Sequence, residues 1–168
     1  MNVIVSVYQK WGIGREGRLL CPISEDLKRF KAYTLGNVVV LGRLTLATFP
    51  KQQPLPGRDN VILSRDCSYA VSCAEVVHDL PELFQHLLPY TEEQIYIIGG
   101  AQVYQLLLPY CHRAYVTRLE KDFHADRFFP DLEADAGWRL VDRSPRQEQE
   151  GIGYCFCTYV QDAPAPWR

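Results

Sequence analysis

The stretch from Gln94 to Leu108 limits the possible folds more than any other part of the chain. Its first part, Ile95 to Ile98, is a short apolar run typical of a strand that is buried on both faces. Gly99 and Gly100 end this run, and apolar residues then recur at helical spacing until Pro109. The pattern predicts a strand, a two-glycine turn and a helix, which lets backbone N–H groups approach a phosphate. A plain strand-to-helix turn, with glycine needed only for packing, is the alternative for this stretch alone.

A second junction of this kind follows the apolar run Val38 to Leu41. Gly42-Arg43-Leu44-Thr45 begins a short predicted helix there, and its arginine and hydroxyl suit an anion. Other strands are predicted over Asn2–Tyr8, Asn60–Ser64, Ala114–Leu119, Trp138–Asp142 and Tyr154–Val160, and helices over Ser24–Thr34 and from Asp79 or Leu80 to Leu88. Early strands alternate with helices and the last two strands pair antiparallel. This order indicates an α/β domain with a mixed, mainly parallel sheet. The tail after Gln161 is predicted to be loose.

Length and charge narrow the class of protein. A chain of 168 residues suits one domain with a sizeable core, and a net charge of -2 gives no electrostatic case for nucleic acid or an anionic membrane. No run approaches the roughly 20 apolar residues of a membrane span, and Asn2–Tyr8 suits a strand better than a signal peptide. The six cysteines form no C-x-x-C pair and the four histidines lack metal-ligand spacing. We therefore expect reduced thiols, a cytoplasmic protein and no metal site.

The segment Gly12 to Gly17 matches the pattern G-x-G-x-x-G after a strand. A dinucleotide fingerprint also needs a helix at this point and an acidic residue about 20 positions later. Pro22 interrupts any such helix, and the strand Val38 to Leu41 ends without an acid. We therefore reject the fingerprint and expect a long functional loop from Gln9 to Ile23.

The predicted helix from Ser24 to Thr34 carries an unusual face. Ser24 suits the N-cap position, and Asp26, Phe30 and Tyr33 share one side of the helix. An acid beside two aromatic rings suggests a binding site. The alternative is that Asp26 only complements the helix dipole in the first turn.

Motifs along nearly the whole chain resemble the dihydrofolate reductase family. They are Ile13-Gly14, Glu25 to Lys31 with Thr34, Val40 to Thr45, Leu55 to Asn60, Ile98 to Tyr104, Thr117 and Phe129-Pro130. Each motif is weak alone, but their order and spacing together are specific. The resemblance implies an eight-stranded, mainly parallel sheet flanked by four helices, with a C-terminal antiparallel hairpin. It also implies a single domain over residues 1–168, with an adenosine-binding subdomain from about residue 37 to residue 90.

The resemblance implies an enzyme that uses NADPH to reduce 7,8-dihydrofolate to 5,6,7,8-tetrahydrofolate. Such an enzyme supplies one-carbon metabolism, is an antifolate target and is expected to be monomeric. Asp26 is then the acid of the pterin pocket, Thr117 its hydrogen-bond partner, and Arg58 the partner of the substrate's glutamate tail. The implied apolar walls of the substrate site are Ile4, Val5, Leu27, Phe30, Phe49, Leu55 and Ile98.

The cofactor residues implied by the resemblance cluster at the two glycine junctions. Thr45 is expected to bind the pyrophosphate, Arg43 and Arg65 the 2′-phosphate, and Tyr104 is expected to lie beside the nicotinamide. The peptide between Gly99 and Gly100 is expected to be cis. The full implied set is Ile13, Gly14, Leu19, Gly42, Arg43, Leu44, Thr45, Ser64, Arg65, Gly99, Gly100, Ala101, Gln102, Val103 and Tyr104.

The chain departs from the family pattern at two places. Leu20-Cys21 replaces the usual Pro-Trp, which predicts a wider pterin pocket unless Leu19, Leu20 and Ile23 fill the space. Ser6 stands where a small apolar residue is usual. One alternative is a reductase of the same fold acting on another reduced pterin or a ribosylaminopyrimidine, against which Arg58 argues. Another is a non-catalytic pterin- or nucleotide-binding module, against which Asp26 and Thr117 argue.

Overall fold

The apolar run at the centre of the sequence forms the central strand of the fold. In the computed structural model, which describes residues 1–15 and 23–168, this strand is Ile95–Gly99 and every residue of it is buried. The described strands are β1 Asn2–Val7, β2 Gly12–Gly14, β3 Val38–Gly42, β4 Asp59–Leu63, β5 Glu75–Val77, β6 Ile95–Gly99, β7 Arg113–Leu119, β8 Arg127–Phe128, β9 Trp138–Arg143, β10 Gln147–Gln149 and β11 Ile152–Gln161. Leu19, Leu20 and Cys21 lie outside the described residues.

Helices pack on both sides of this central strand and its neighbours. The α-helices of the described residues are α1 Ser24–Thr34, α2 Arg43–Leu46, α3 Leu80–Leu87 and α4 Ala101–Leu107. Short 3-10 helices cover Gln9–Trp11, Pro50–Gln52, Glu92–Gln94 and Leu108–Tyr110. None of the described helices combines the length and hydrophobicity that crossing a bilayer requires.

The sheet has the topology that the strand order predicts. Across the described chain it runs β10-β11-β7-β1-β6-β3-β4-β5, with β9 sharing the outer edge of β11 with β10. The pairs among β7, β1, β6, β3, β4 and β5 are all parallel. Strand β11 is antiparallel to β7, β9 and β10. A mixed, mainly parallel sheet with a C-terminal antiparallel hairpin is therefore confirmed.

The alternation of side chains along β1 divides the core between the two faces of the sheet. Val3, Val5 and Val7 join the buried cluster that contains the inner residues of α3 and α4. Ile4 joins the opposite cluster, against which Phe30 of α1 packs. Because successive strand residues point to opposite faces, Ser6 lies on the same side as Ile4, under α1.

The predicted turn at Gly57 is confirmed, whereas several short strands are not predicted. Gly57 has φ +71°, which confirms the glycine position of a type II turn. Gly12 and Gly14 belong to β2, which pairs with β8, so the described part of the rejected fingerprint begins no helix. The short strands β2, β5, β8 and β10 are not predicted, because two or three residues carry no measurable period.

The predicted N-cap of α1 is wrong. Ile23 occupies the cap, and Ser24 is the first helical residue. The backbone N–H and the hydroxyl of Ser24 both donate to Oε1 of Gln149, at 3.0 and 2.8 Å. A side chain from β10 therefore supplies the acceptor that local capping would have supplied.

The tail after β11 is not loose, contrary to its composition. Trp167 is 9 % exposed and joins the cluster that holds α3, with its ring 5.8 Å from that of Phe84. The N–H of Ala165 donates to the carbonyl of Pro109 at 2.8 Å, and the Arg168 guanidinium donates to the carbonyl of Tyr90. The buried Trp167 side chain and two hydrogen bonds to backbone carbonyls therefore order a segment whose Ala-Pro composition predicts disorder.

Trp167→Ala should lower the free energy of unfolding by about 3 kcal/mol, because it removes a buried aromatic side chain and leaves a cavity. Trp167→Phe should cost less, since it keeps a ring and removes an indole N–H without a hydrogen-bond partner in the described structure. Urea unfolding of both variants measures the difference. Equal stability of Trp167→Ala and the unchanged chain would mean that the tail is not docked in solution.

Candidate active site

The carboxylate of Asp26 is held at both of its oxygens. Thr117 Oγ1 donates to Oδ1 at 2.5 Å, and Ser6 Oγ donates to Oδ2 at 2.5 Å. Asp26 lies in the first turn of α1 and is half-buried, whereas Thr117 is buried. The contact expected between Asp26 and Thr117 is therefore present, and the sequence does not predict the contact with Ser6.

The register of two parallel strands explains why both hydroxyls reach one carboxylate. Ser6 of β1 pairs directly with Thr117 of β7, and Ile4 pairs with Tyr115. Side chains opposite each other in paired strands leave the sheet on the same face, so the two hydroxyls stand side by side. The first turn of α1 passes over this point and brings the Asp26 side chain within reach of both.

The same helix carries a cation, Arg29, that packs among aromatic rings. Arg29 follows Asp26 by three residues, and its guanidinium carbon is 4.5 Å from the ring centroid of Phe156. The rings of Tyr33 and Tyr115 lie 5.4 and 5.7 Å from it. Nη1 of Arg29 is buried without a hydrogen-bond partner in the described structure. Aromatic faces on three elements therefore hold this charge, and the sequence shows no local signal for such a cage.

Tyr104 of α4 packs on the face of the sheet opposite to Asp26. Its hydroxyl donates to the carbonyl of Ile4 at 2.9 Å. Burial raises the pKa of Tyr104, and the charge of Asp26 raises it further, so the hydroxyl stays protonated. Gly99, at φ +114°, lies under the ring, and a Cβ there would lie 3.0 Å from a ring carbon of Tyr104. Only glycine fits this position without strain.

The two glycine junctions lie against each other. Strands β3 and β6 are parallel neighbours, and Leu41 pairs with Gly99. A Cβ added to Gly100 would lie 3.0 Å from Thr45 Oγ1, and a Cβ added to Gly42 would lie 3.1 Å from Val103. The peptide between Gly99 and Gly100 is cis, as the resemblance implies. Glycine backbone without side chains therefore forms a surface beside the first turns of α2 and α4. The free N–H groups of these turns suit the binding of phosphates.

Arg43 lies at the edge of this surface beside an acid that the sequence does not predict. Its Nη1 is 3.0 Å from Oδ2 of Asp66, and its guanidinium carbon is 5.4 Å from the centroid of Tyr69. Hydrogen bonds from Ser68, and to a smaller extent Arg43, lower the pKa of Asp66. Ser64 is buried and Arg65 is exposed. Because β3 and β4 end in register, Arg43 and Ser64 lie at the same edge of the sheet.

Arg58 lies near the far end of α1 from Asp26. Its Nε donates to Thr34 Oγ1 at 3.2 Å and its Nη1 to the carbonyl of Pro56 at 2.7 Å. Burial lowers the pKa of Arg58. Asp26 and Thr34 lie about 12 Å apart along the helix axis, at roughly 1.5 Å per residue. A carboxylate and an arginine thus stand at opposite ends of one helix, with the remaining guanidinium N–H groups available as donors.

The other expected residues divide between the two faces of the sheet. Phe30, Phe49 and Leu55 pack against the cluster that contains Ile4 and Ile98, whereas Val5 joins the cluster on the opposite face. Leu27 and Leu44 are large apolar residues that are 55 % and 75 % exposed. Ile13 and Gly14 lie in β2, and Ala101, Gln102 and Val103 form the first turn of α4. Leu19 lies outside the described residues.

Comparisons with known proteins agree with this architecture. The family model described as dihydrofolate reductase matches residues 1–161. The chain is 34% identical over 161 residues to a dihydrofolate reductase of Neisseria gonorrhoeae, covering 95% of this chain and 97% of that one. It is 38% identical over 151 residues to a dihydrofolate reductase of Mycobacterium tuberculosis, covering 88% and 89%.

A solved structure has the same fold. It is a dihydrofolate reductase from Enterococcus faecalis complexed with NADP(H) and RAB-propyl, with a TM-score of 0.85, 30% identity and 96% of each chain covered. A family match over nearly the whole chain, relatives above 30% identity and this structural agreement lead to one conclusion: the chain belongs to the dihydrofolate reductase family.

Proposed function

We propose that Asp26, Thr117 and Arg58 bind dihydrofolate in the reaction of this family, the NADPH-dependent reduction of 7,8-dihydrofolate to 5,6,7,8-tetrahydrofolate. The observation that carries the assignment is the Asp26 carboxylate, held by hydroxyls and half-open to solvent, with an arginine at the other end of the same helix. A pterin ring carries adjacent N–H groups, and its glutamate tail ends in carboxylates. The acid and the arginine match these two ends.

Asp26 orients the pterin ring and stabilises positive charge on it. Each oxygen of the carboxylate accepts one hydroxyl and keeps lone-pair capacity for an N–H of the ring. Charge-assisted hydrogen bonds of this kind are stronger than neutral ones and fix the ring plane. The fixed negative charge favours a protonated ring, which accepts hydride more readily.

The glycine junctions and the residues around them fit NADPH, which supplies the hydride when it is bound. Gly42, Gly99 and Gly100 keep side chains off the surface where the phosphates would lie, and Thr45 Oγ1 faces that surface. In this proposal Arg43 and Arg65 meet the 2′-phosphate, which competes with Asp66 for Arg43. Asp66 is therefore the charge that a cofactor phosphate must displace or accommodate.

The remaining assignments are also proposals. Residues from about 37 to 90, which include β3 to α3, would form the adenosine-binding subdomain of a single domain. We propose a monomer in the cytoplasm that has no nucleic-acid partner. Five cysteines of the described chain are free thiols, and this supports a reducing compartment.

Arg58 should make the enzyme prefer dihydrofolate over reduced pterins that lack a glutamate tail. The enzyme should oxidise NADPH with dihydrofolate faster than with dihydropteroate, which lacks the glutamate tail. Arg58→Ala should remove most of this preference, because one charge-assisted contact contributes about 1.5–3 kcal/mol. Loss of NADPH absorbance measures both rates. Equal rates with the two substrates in the unchanged enzyme would contradict the role of Arg58.

Asp26→Asn should reduce turnover by about 100-fold or more at neutral pH, because it removes the charge that stabilises the protonated ring. The loss should shrink as the pH falls, since more of the substrate is then protonated before it binds. NADPH binding, measured by fluorescence, should stay near the unchanged value and serves as the folding control. Turnover close to that of the unchanged enzyme at neutral pH would exclude this mechanism.

The double variant Arg43→Ala, Arg65→Ala should reduce the preference for NADPH over NADH by at least about 10-fold, mainly through weaker NADPH binding. NADH lacks the 2′-phosphate, so its dissociation constant is the internal control. Asp66→Asn should do the reverse and tighten NADPH binding, because it removes the competitor of the phosphate. An equal loss of affinity for both cofactors would show that these arginines do not read the 2′-phosphate.

A further inference from the structure

The second hydroxyl on Asp26 belongs to a residue that the family pattern does not mark as functional. Ser6 Oγ lies 2.5 Å from Oδ2, the same distance as Thr117 Oγ1 from Oδ1. The side chain of Ser6 is half-buried, and its neighbours Val5 and Val7 belong to the cluster on the other face of the sheet. The hydroxyl therefore lies in the site itself.

Two donors do more to a carboxylate than one. A single hydrogen bond restrains one oxygen, whereas a bond to each oxygen restricts rotation about the Cβ–Cγ bond from both sides and so fixes the plane of the group. The donors sit on β1 and β7, which are registered over six residue pairs from Asn2 with Arg113 to Val7 with Arg118. Both hydrogen-bond donors to Asp26 therefore come from the sheet, and α1 contributes the carboxylate that they orient.

Arg29, three residues further along α1, does not replace either donor. The Arg29 guanidinium packs on the rings of Phe156, Tyr33 and Tyr115. Two neutral hydroxyls therefore orient the carboxylate, and they leave its full negative charge for a ligand. An ion pair in their place would have neutralised it.

We propose that Ser6 is a positioning residue for the substrate, acting through Asp26: its hydroxyl fixes the carboxylate plane at the angle that meets two adjacent N–H groups of the pterin. This inference rests on the proposed function. It makes Ser6 and Thr117 a matched pair, each holding one oxygen, and gives the enzyme a determinant of dihydrofolate affinity on β1.

Three variants separate this role from simple packing. Ser6→Ala removes the hydroxyl, and Ser6→Cys keeps nearly the same volume but donates poorly. Both should lower kcat/KM for dihydrofolate by about 10-fold, the effect of losing one hydrogen bond to a charged group. Ser72→Ala removes an exposed hydroxyl and should leave kcat/KM unchanged. Wild-type kcat/KM in Ser6→Cys would overturn the proposal, because it would mean that only volume matters.

Coupling to Asp26 is the decisive measurement. In an Asp26→Asn background, Ser6→Ala should change the dissociation constant of dihydrofolate by less than about 2-fold, because the group that it orients has lost its charge. The same fold-change in both backgrounds would overturn the proposal. NADPH affinity should match the wild type in every Ser6 variant, and a parallel loss of NADPH affinity would likewise overturn it by showing general damage.

A wild-type enzyme that neither binds dihydrofolate nor oxidises NADPH would instead refute the proposed function, so the two failures are distinguishable.

Discussion

The parallel pairing of β1 with β7 is the constraint on which the site depends. It sets Ser6 beside Thr117 and thereby creates a two-point support for the Asp26 carboxylate. The other parallel pairs align the ends of β3 and β6, so that the glycine junctions meet at one edge. One sheet therefore positions both Asp26 and the glycine junctions, and the helices contribute the carboxylate and the backbone N–H groups of their first turns.

Much of the fold follows from short-range patterns in the sequence. The central strand, the glycine turns, α1 and the antiparallel end of the sheet are each encoded within a few consecutive residues. The Asp26–Thr117 contact could be expected only through the resemblance to a family, because the two residues are far apart in the chain. Local periodicity contains no information about such a pairing.

The features that the sequence does not predict all depend on partners from distant segments. Gln149 replaces a local helix cap, Asp66 pairs with Arg43, and Trp167 anchors an otherwise unpromising tail. Ser6 belongs to the same group. The role of a serine in a strand cannot be predicted until its cross-strand neighbour and the overlying helix are known. Each contact is decided by tertiary packing, which overrides local preference.

The setting of Arg29 has a consequence for the enzyme's response to salt. Exposed ion pairs weaken as dissolved ions screen them, over a Debye length of about 8 Å at physiological ionic strength. The Arg29 guanidinium packs against aromatic faces, and one of its nitrogens is shielded from solvent. Mobile ions have little access to that nitrogen. The electrostatic field around Arg29 should accordingly persist at high salt concentration, whereas the exposed Arg43–Asp66 pair would be screened.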